Sequence, residues 1–158
     1  MKNHPAAYSD LVFGDTVTDY LNTDAVKTAF HIPNELKYEE CSNKVGANWH
    51  YQEEASEWIY KVLKNNGIKM LHYSGDTDAA VPTYGTHRWI KSLHWDITEA
   101  WRPWYTTHPT EGDQVSGYVE VYDGLTFVTV KGVGHMAPQW ARQPVQEMVH
   151  AFIHGEKF

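Results

Sequence analysis

The chain has 158 residues, enough for one domain with a sizeable core, and its 42% hydrophobic and 21% charged residues are typical of a globular protein. A formal net charge of −7 argues against a nucleic-acid-binding function, because no basic stripe is available to neutralise phosphates. No apolar run approaches the roughly 20 residues that a membrane-spanning helix needs, so we expect no membrane span.

The amino terminus and the cysteine content bear on the compartment. Met1 is followed by polar residues rather than by the apolar segment of a signal peptide, so we expect a cytosolic protein or one whose targeting signal lies on a longer precursor. Cys41 is the single cysteine and cannot form a disulfide within the chain. The residues alone favour a buried, inert thiol there over a bridge to another molecule.

The first part of the chain is predicted to be a helical segment between two loops. Residues 1–15 show no hydrophobic period and are predicted to form an N-terminal arm or loop, which leaves residues 16–158 as one domain. Apolar spacing predicts a helix over residues 16–30, which Asn22-Thr23-Asp24 can divide into two pieces. Polar residues 34–46, which include the cysteine, are predicted to form a loop.

The central part of the chain alternates helix and strand. Apolar residues at helical spacing predict a helix over residues 53–65, with Gly67 in the position that follows its C-cap. An apolar strand is predicted over residues 68–73, and a second helix over residues 84–93 follows Pro82. This alternation is typical of proteins built from βαβ units.

A β-hairpin is predicted late in the sequence. Residues 95–117 are rich in aromatic and polar side chains and yield no predicted strand before residue 115. Two strands are predicted over residues 115–122 and 125–131, joined by Asp123-Gly124, which is a strong signal for a two-residue hairpin turn.

The final predicted element is a helix over residues 144–154. Pro144 suits its first position and Gly155 suits the position after its C-cap. The whole pattern indicates an α/β fold, yet it contains few parallel strands to bury the two faces of a sheet. We therefore predict that the chain is part of a larger domain and incomplete on its own.

The first chemical motif follows the strand predicted over residues 68–73. Tyr73-Ser74-Gly75-Asp76-Thr77-Asp78 carries two carboxylates at the end of that strand, where ligands bind in open α/β sheets. Either acid could hold a catalytic histidine in the correct tautomer. Asp78 is preferred, since Gly75-Asp76-Thr77 can form the turn that delivers it. The competing interpretation is that both acids only form a turn.

The second motif, Gly132-Val133-Gly134-His135-Met136-Ala137-Pro138, follows the strand predicted over residues 125–131. Two glycines allow a sharp turn that brings His135 to the edge of the sheet, and a histidine can serve as a general base near neutral pH. An acid and then a histidine are the last two members of a Ser…Asp…His triad in α/β-hydrolase order. The first member is missing, because no Gly-x-Ser-x-Gly motif occurs in the chain.

The last predicted helix carries residues that could bind a metal ion. His150 and His154 lie four residues apart on one predicted helix with Glu147 nearby, and this set could chelate a metal ion. The sequence contains no His-Glu-x-x-His motif and no cysteine cluster, so we predict neither a metal nor another cofactor.

The two motifs together resemble the acid and histidine motifs of the serine carboxypeptidase family. The similarity runs from about residue 16 to the end of the chain, and it corresponds to the C-terminal third or so of a family member. Further segments that resemble the family surround the motifs: residues 20–31, residues 101–105, Gly117-Tyr118 and residues 122–127.

The resemblance implies the C-terminal portion of an α/β-hydrolase fold, with a mixed, mostly parallel sheet. It implies that Asp78 is the triad acid, that His135 is the base, and that Met136 borders the pocket for the departing residue. Cys41 matches a family cysteine that bridges to the N-terminal part. Some members are cut into a large and a small chain, and this chain has the size and content of the small one.

The implied function is release of C-terminal residues from peptides, together with a large chain that carries the nucleophilic serine. The implied compartment is secreted, vacuolar or lysosomal, with the signal on a precursor. Two alternatives stay open. Relatives on the same scaffold are acyltransferases or hydroxynitrile lyases, so fold and triad do not fix the reaction. The chain could also be a non-catalytic structural subunit or a pseudoenzyme whose motifs are relics.

Overall fold

The computed structural model describes residues 15–51 and 56–157. Apart from Asp15, the predicted N-terminal arm lies outside the described residues. The chain divides into two compact units, Met1–Glu53 and Glu54–Phe158. The described helices include none that is both long and apolar enough to cross a membrane.

The described residues of the first unit, 15–51, form three short helices: α1 (Asp15–Leu21), α2 (Asp24–Ala29) and α3 (Asn43–Ala47). The predicted break at residues 22–24 is confirmed, because Asn22 leaves the helix and uses its side chain elsewhere. Its amide donates to the carbonyl oxygen of Tyr38, and its Oδ1 accepts from the Tyr38 N–H at 2.8 Å. The loop predicted over residues 34–46 is partly wrong, since α3 begins inside it, where the Ser42 hydroxyl caps the N–H of Val45.

The second unit is a four-stranded mixed sheet flanked by helices. Its elements, in chain order, are α4 (Glu57–Asn65), β1 (Met70–Gly75), α5 (Thr83–Ser92), β2 (Ile97–His108), β3 (Gly112–Tyr122), β4 (Leu125–Val130), α6 (Ala137–Trp140) and α7 (Arg142–His154). The strand order is β1-β4-β3-β2, with β1 parallel to β4 and the other two pairs antiparallel. A mixed α/β sheet is confirmed, but the described strands are less parallel than the sequence led us to expect.

Two hydrophobic clusters cover the two faces of this sheet. Strand residues alternate between the faces, so that Val128 and Val130 lie in one cluster while Leu125 and Phe127 lie in the other. The first cluster packs against α6 and α7, and the second packs against α4 and α5. Helix α7 starts at Arg142, two residues before the predicted proline start, and it ends as predicted with Gly155 in the left-handed conformation.

Strand β2 is a strand that the sequence did not predict. It is an edge strand among the described strands, and it carries Pro103, which pairs with Tyr118 on β3. The pairing of β2 with β3 shifts register at three places, so the two-residue period of buried side chains is lost. Trp104 is nevertheless fully buried and donates its indole N–H to the carbonyl oxygen of Thr129 at 2.9 Å.

A buried carboxylate links α5 to the sheet. Glu120 on β3 accepts hydrogen bonds from the hydroxyl of Tyr122 and from Nε2 of His87, the latter at 2.8 Å. The ring of His87 stacks on the rings of both Phe127 and Trp101, with ring centroids 5.2 and 5.0 Å apart. Burial raises the pKa of Glu120, but the hydrogen bonds from Tyr122 and His87 outweigh burial, and the pKa lies below its ordinary value.

This network predicts a loss of stability in acid. The ionised Glu120 stabilises the folded state at pH values above its unfolded-state pKa of about 4.3, and that contribution disappears as the pH falls through the lower folded-state pKa. Urea unfolding between about pH 3 and pH 6 should therefore show a steeper pH dependence for the wild-type chain than for Glu120→Gln. Glu111→Gln, an exposed change at the β2–β3 turn, is the control. Equal slopes for wild type and Glu120→Gln would contradict the prediction.

Candidate active site

The loop after β1 carries the predicted acid. The strand ends at Gly75, and the chain turns back at once, with the N–H of Asp78 donating to the carbonyl oxygen of Gly75 at 3.1 Å. Oδ1 of Asp78 accepts from the main-chain N–H groups of Ala80 and Val81 at 2.8 and 3.0 Å. This arrangement is an Asx-type turn that fixes the carboxylate relative to the strand.

The loop after β4 carries the predicted base and lies against the acid loop. The N–H of Thr77 donates to the carbonyl oxygen of Val133 at 3.1 Å, across the two loops. Gly75 permits this close approach, because a Cβ atom at that position would collide with the carbonyl oxygens of Val133 and Gly134. Gly132 adopts a positive φ of 74°, which favours glycine at the start of the turn.

The two loops bring Asp78 and His135 together. Oδ2 of Asp78 lies 3.0 Å from Nδ1 of His135, across 57 positions of sequence. The side chain of Asp78 is 7% exposed, whereas that of His135 is 61% exposed. The hydrogen bond from Val81 is the largest cause that holds the pKa of Asp78 below its usual value, and the contact with His135 lowers it further. When the ionised carboxylate of Asp78 accepts from the N–H at Nδ1, Nε2 of the exposed ring is available to exchange a proton with a reactant.

The two candidate acids have different partners. Oδ1 of Asp76 accepts from the N–H of Gly132 at 2.7 Å. Asp78, and not Asp76, therefore faces the histidine ring, in line with the choice made from the sequence, although the catalytic role of the pair stays a prediction.

The other residues singled out from the sequence lie in different places. Met136 directly follows His135 and has a partly exposed side chain. Cys41 lies in the first unit and is exposed and unpaired, so the expectation of a buried thiol is wrong. The rings of His150 and His154 stack 4.1 Å apart, and Nδ1 of His154 is used in a hydrogen bond with the carbonyl oxygen of His150. Within residues 15–51 and 56–157, no three His, Cys, Asp or Glu side chains form a group that could hold a metal ion.

Sequence reasoning missed the anchor of the acid loop. The hydroxyl of Thr83 at the start of α5 donates to the carbonyl oxygen of Gly75 at 2.9 Å and lies 2.8 Å from the hydroxyl of Ser74. These contacts tie the far end of the loop back to β1, so the turn around Asp78 is held at both ends. The signal was present in the sequence as Pro82-Thr83 directly before the apolar helix pattern, which is typical of a helix start.

Comparison with known proteins gives a consistent result. A sequence profile described as serine carboxypeptidase matches residues 3–155. Serine carboxypeptidase-like 22 of Arabidopsis thaliana is 35% identical over 143 residues, which are 87% of this chain and 30% of that protein. Serine carboxypeptidase 1 of Hordeum vulgare is 33% identical over 149 residues, which are 90% of this chain and 28% of that protein. The chain thus spans less than a third of the length of these relatives.

A solved structure shows the same fold. The crystal structure of Kex1(delta)p, a prohormone-processing carboxypeptidase from Saccharomyces cerevisiae, aligns with 97% of this chain and 34% of its own, with a TM-score of 0.65 and 21% sequence identity. The described sheet and helices therefore have the arrangement of part of that protein.

The close approach at Gly75 yields a prediction. Gly75→Ala should push the two loops apart and weaken the hydrogen bond between Asp78 and His135, because the added methyl group meets main-chain atoms that cannot rotate away. Thermal unfolding should show a lower midpoint, and the imidazole N–H resonance of His135 should broaden or move upfield.

Gly85→Ala provides the matched control. A Cβ atom at Gly85 in α5 meets no atom within 4 Å, so this substitution should leave the resonance unchanged and stabilise the helix by about 0.5–1 kcal/mol. A Gly75→Ala protein with the midpoint and resonance of the wild type would show that the loops do not depend on this contact.

Proposed function

The chain belongs to the serine carboxypeptidase family, and from this membership we propose that it supplies the acid and the base of a Ser-Asp-His triad that releases C-terminal residues from peptides. The observation that carries the proposal is the Asp78–His135 pair at the ends of two neighbouring parallel strands. The nucleophilic serine comes from an N-terminal part of the enzyme that is not in this chain.

The geometry supports the following mechanism. The partner serine attacks the scissile carbonyl carbon while Nε2 of His135 accepts the proton of its hydroxyl group. Asp78 keeps Nδ1 protonated, orients the ring and stabilises the imidazolium that forms. The same proton then passes to the leaving amine, and a water molecule completes hydrolysis of the acyl-enzyme by the reverse path.

The free edge of the sheet supports a partner that completes the fold. The N–H groups of Met70 and Asp76 point towards β4, where they donate to Gly124 and Val130. Residues of β1 alternate in direction, so the N–H groups of Leu71 and Tyr73 point away from the described sheet. An unpaired strand edge of this kind is a site for pairing with a further strand.

Helix α4 carries a second exposed surface. Lys64 contacts Asp123 on the side of the hairpin, and the apolar residues on the opposite side of the helix are largely exposed. They are Trp58, Ile59 and Val62. We propose that the N-terminal part of the enzyme, the large chain where the precursor is cut, pairs with β1 and covers this helix side.

Met136 and the compartment belong to the same proposal. The partly exposed side chain of Met136 lies next to the base, and we assign it to the border of the pocket for the departing residue. The family and the proposed bridge from Cys41 to the large chain are both consistent with a secretory precursor. They fit a secreted, vacuolar or lysosomal location. No cofactor is needed for this chemistry.

Substitution of the two acids and the histidine tests the function. In the assembled enzyme, His135→Ala should abolish most turnover, and Asp78→Asn should lower kcat by about 10⁴, because the ring loses its tautomer and orientation. Asp76→Asn should do much less, since an amide oxygen can still accept from Gly132. Release of the C-terminal residue from a blocked dipeptide is the assay.

Two results of the same assay would contradict the assignment of the triad. The 158-residue chain alone should show no turnover, because it lacks a nucleophile motif. Turnover by the purified chain alone, or a damaging Asp76→Asn beside a mild Asp78→Asn, would contradict the assignment.

Cys41 should be disulfide-bonded to the N-terminal part. It is exposed and has no partner cysteine within the chain, so its thiol is accessible to a second segment. A bridge of this kind contributes about 2–4 kcal/mol by restricting the unfolded state. Peptide mapping of the native oxidised protein without reductant is the measurement, with Cys41→Ser as the control. A free Cys41 that reacts with an alkylating agent would count against both the bridge and the secretory compartment.

A further inference from the structure

The first aspartate of the acid motif, Asp76, joins the two catalytic loops without a hydrogen bond to the histidine. Strands β1 and β4 pair in parallel up to Gly75 and Val130. The ladder then continues by one bond, because the N–H of Asp76 donates to the carbonyl oxygen of Val130 at 3.0 Å.

In a regular parallel ladder, the N–H of a residue donates to the carbonyl oxygen of the residue before its partner. Its own carbonyl oxygen then accepts from the N–H of the residue after that partner. For Asp76, that N–H belongs to Gly132. The acceptor is not the main-chain carbonyl of Asp76 but its side-chain Oδ1, at 2.7 Å. A carboxylate oxygen thus takes the place of a main-chain oxygen, and the main chain of Asp76 is free to turn towards Asp78.

The use of a side-chain acceptor in place of a main-chain acceptor affects the position of the base. Gly132 is the first glycine of the turn that ends at His135, and its positive φ makes the turn begin there. The N–H of Thr77 holds Val133 one residue further on. Asp76 and Thr77 therefore fix the start of the histidine loop, and Asp78 receives the ring at its end.

We propose that Asp76 is a positioning residue for His135, acting through the N–H of Gly132. The proposal rests on the proposed function, in which His135 is the general base. It assigns separate tasks to the two acids of one motif: Asp76 sets the path of the histidine loop and Asp78 sets the tautomer and orientation of the ring. The requirement at position 76 is an acceptor oxygen on a short side chain, which both Asp and Asn provide.

The test compares Asp76→Ala with Asp76→Asn in the assembled enzyme. Asp76→Ala should lower kcat per titrated active site by about tenfold with KM within about twofold, because one loop hydrogen bond is lost and the base is displaced. Asp76→Asn should stay within about threefold of the wild type. Asp123→Ala, which removes a carboxylate at the opposite end of the sheet, is the matched control and should leave kcat unchanged.

A second readout follows the base directly. The Nδ1–H proton resonance of His135 should shift or broaden in Asp76→Ala and persist in Asp76→Asn and Asp123→Ala. Thermal unfolding of each variant separates this effect from a general loss of stability, which would lower the folded fraction and leave kcat per active site and the resonance as they are.

The outcomes discriminate between the two proposals. An Asp76→Ala enzyme with wild-type kcat and resonance would overturn the positioning role, and so would an Asp76→Asn enzyme as impaired as Asp76→Ala. A wild-type assembly without peptidase turnover would contradict the proposed function instead. In that case the resonance of His135 in the two variants still decides whether Asp76 positions the ring.

Discussion

The parallel pairing of β1 with β4 is the constraint on which the site depends. It joins segments that are far apart in sequence and brings their carboxyl ends to one edge of the sheet. The loops that leave these ends carry Asp78 and His135, and Gly75 lets them approach until their main chains are in contact. A different strand order would separate the acid from the base even if both motifs were intact.

The rest of the unit holds this pair of strands in place. Helices α6 and α7 cover one face of the sheet, and α4 and α5 cover the other, so β4 is buried on both sides. Helix α5 also carries Thr83, which anchors the acid loop, and His87, which binds the buried Glu120. The position of the acid is thus fixed by the same helix that closes the second hydrophobic cluster.

The site is asymmetric in exposure, and this asymmetry fits the proposed chemistry. Asp78 is largely withdrawn from solvent and receives main-chain hydrogen bonds that favour its ionised form, whereas the ring of His135 is open to a reactant. The hydrogen-bonded carboxylate holds a fixed charge, and the exposed ring is accessible to a second molecule. Among the described strands, β1 lies at the edge of the sheet, and one side of α4 is exposed.

The sequence by itself determined the α/β class, most helices and strands, the hairpin turn and the candidate pair Asp78 and His135, because these follow from local periodicity, turn chemistry and short motifs. It did not reveal β2, where Pro103 and three register shifts remove the alternation that marks a strand. It also misjudged the burial of Cys41. Only the tertiary structure showed the contact of Asp78 with the histidine and the hydrogen bond from Gly132 to Asp76, because hydrogen bonds across more than fifty positions depend on strand pairing, which local sequence does not encode.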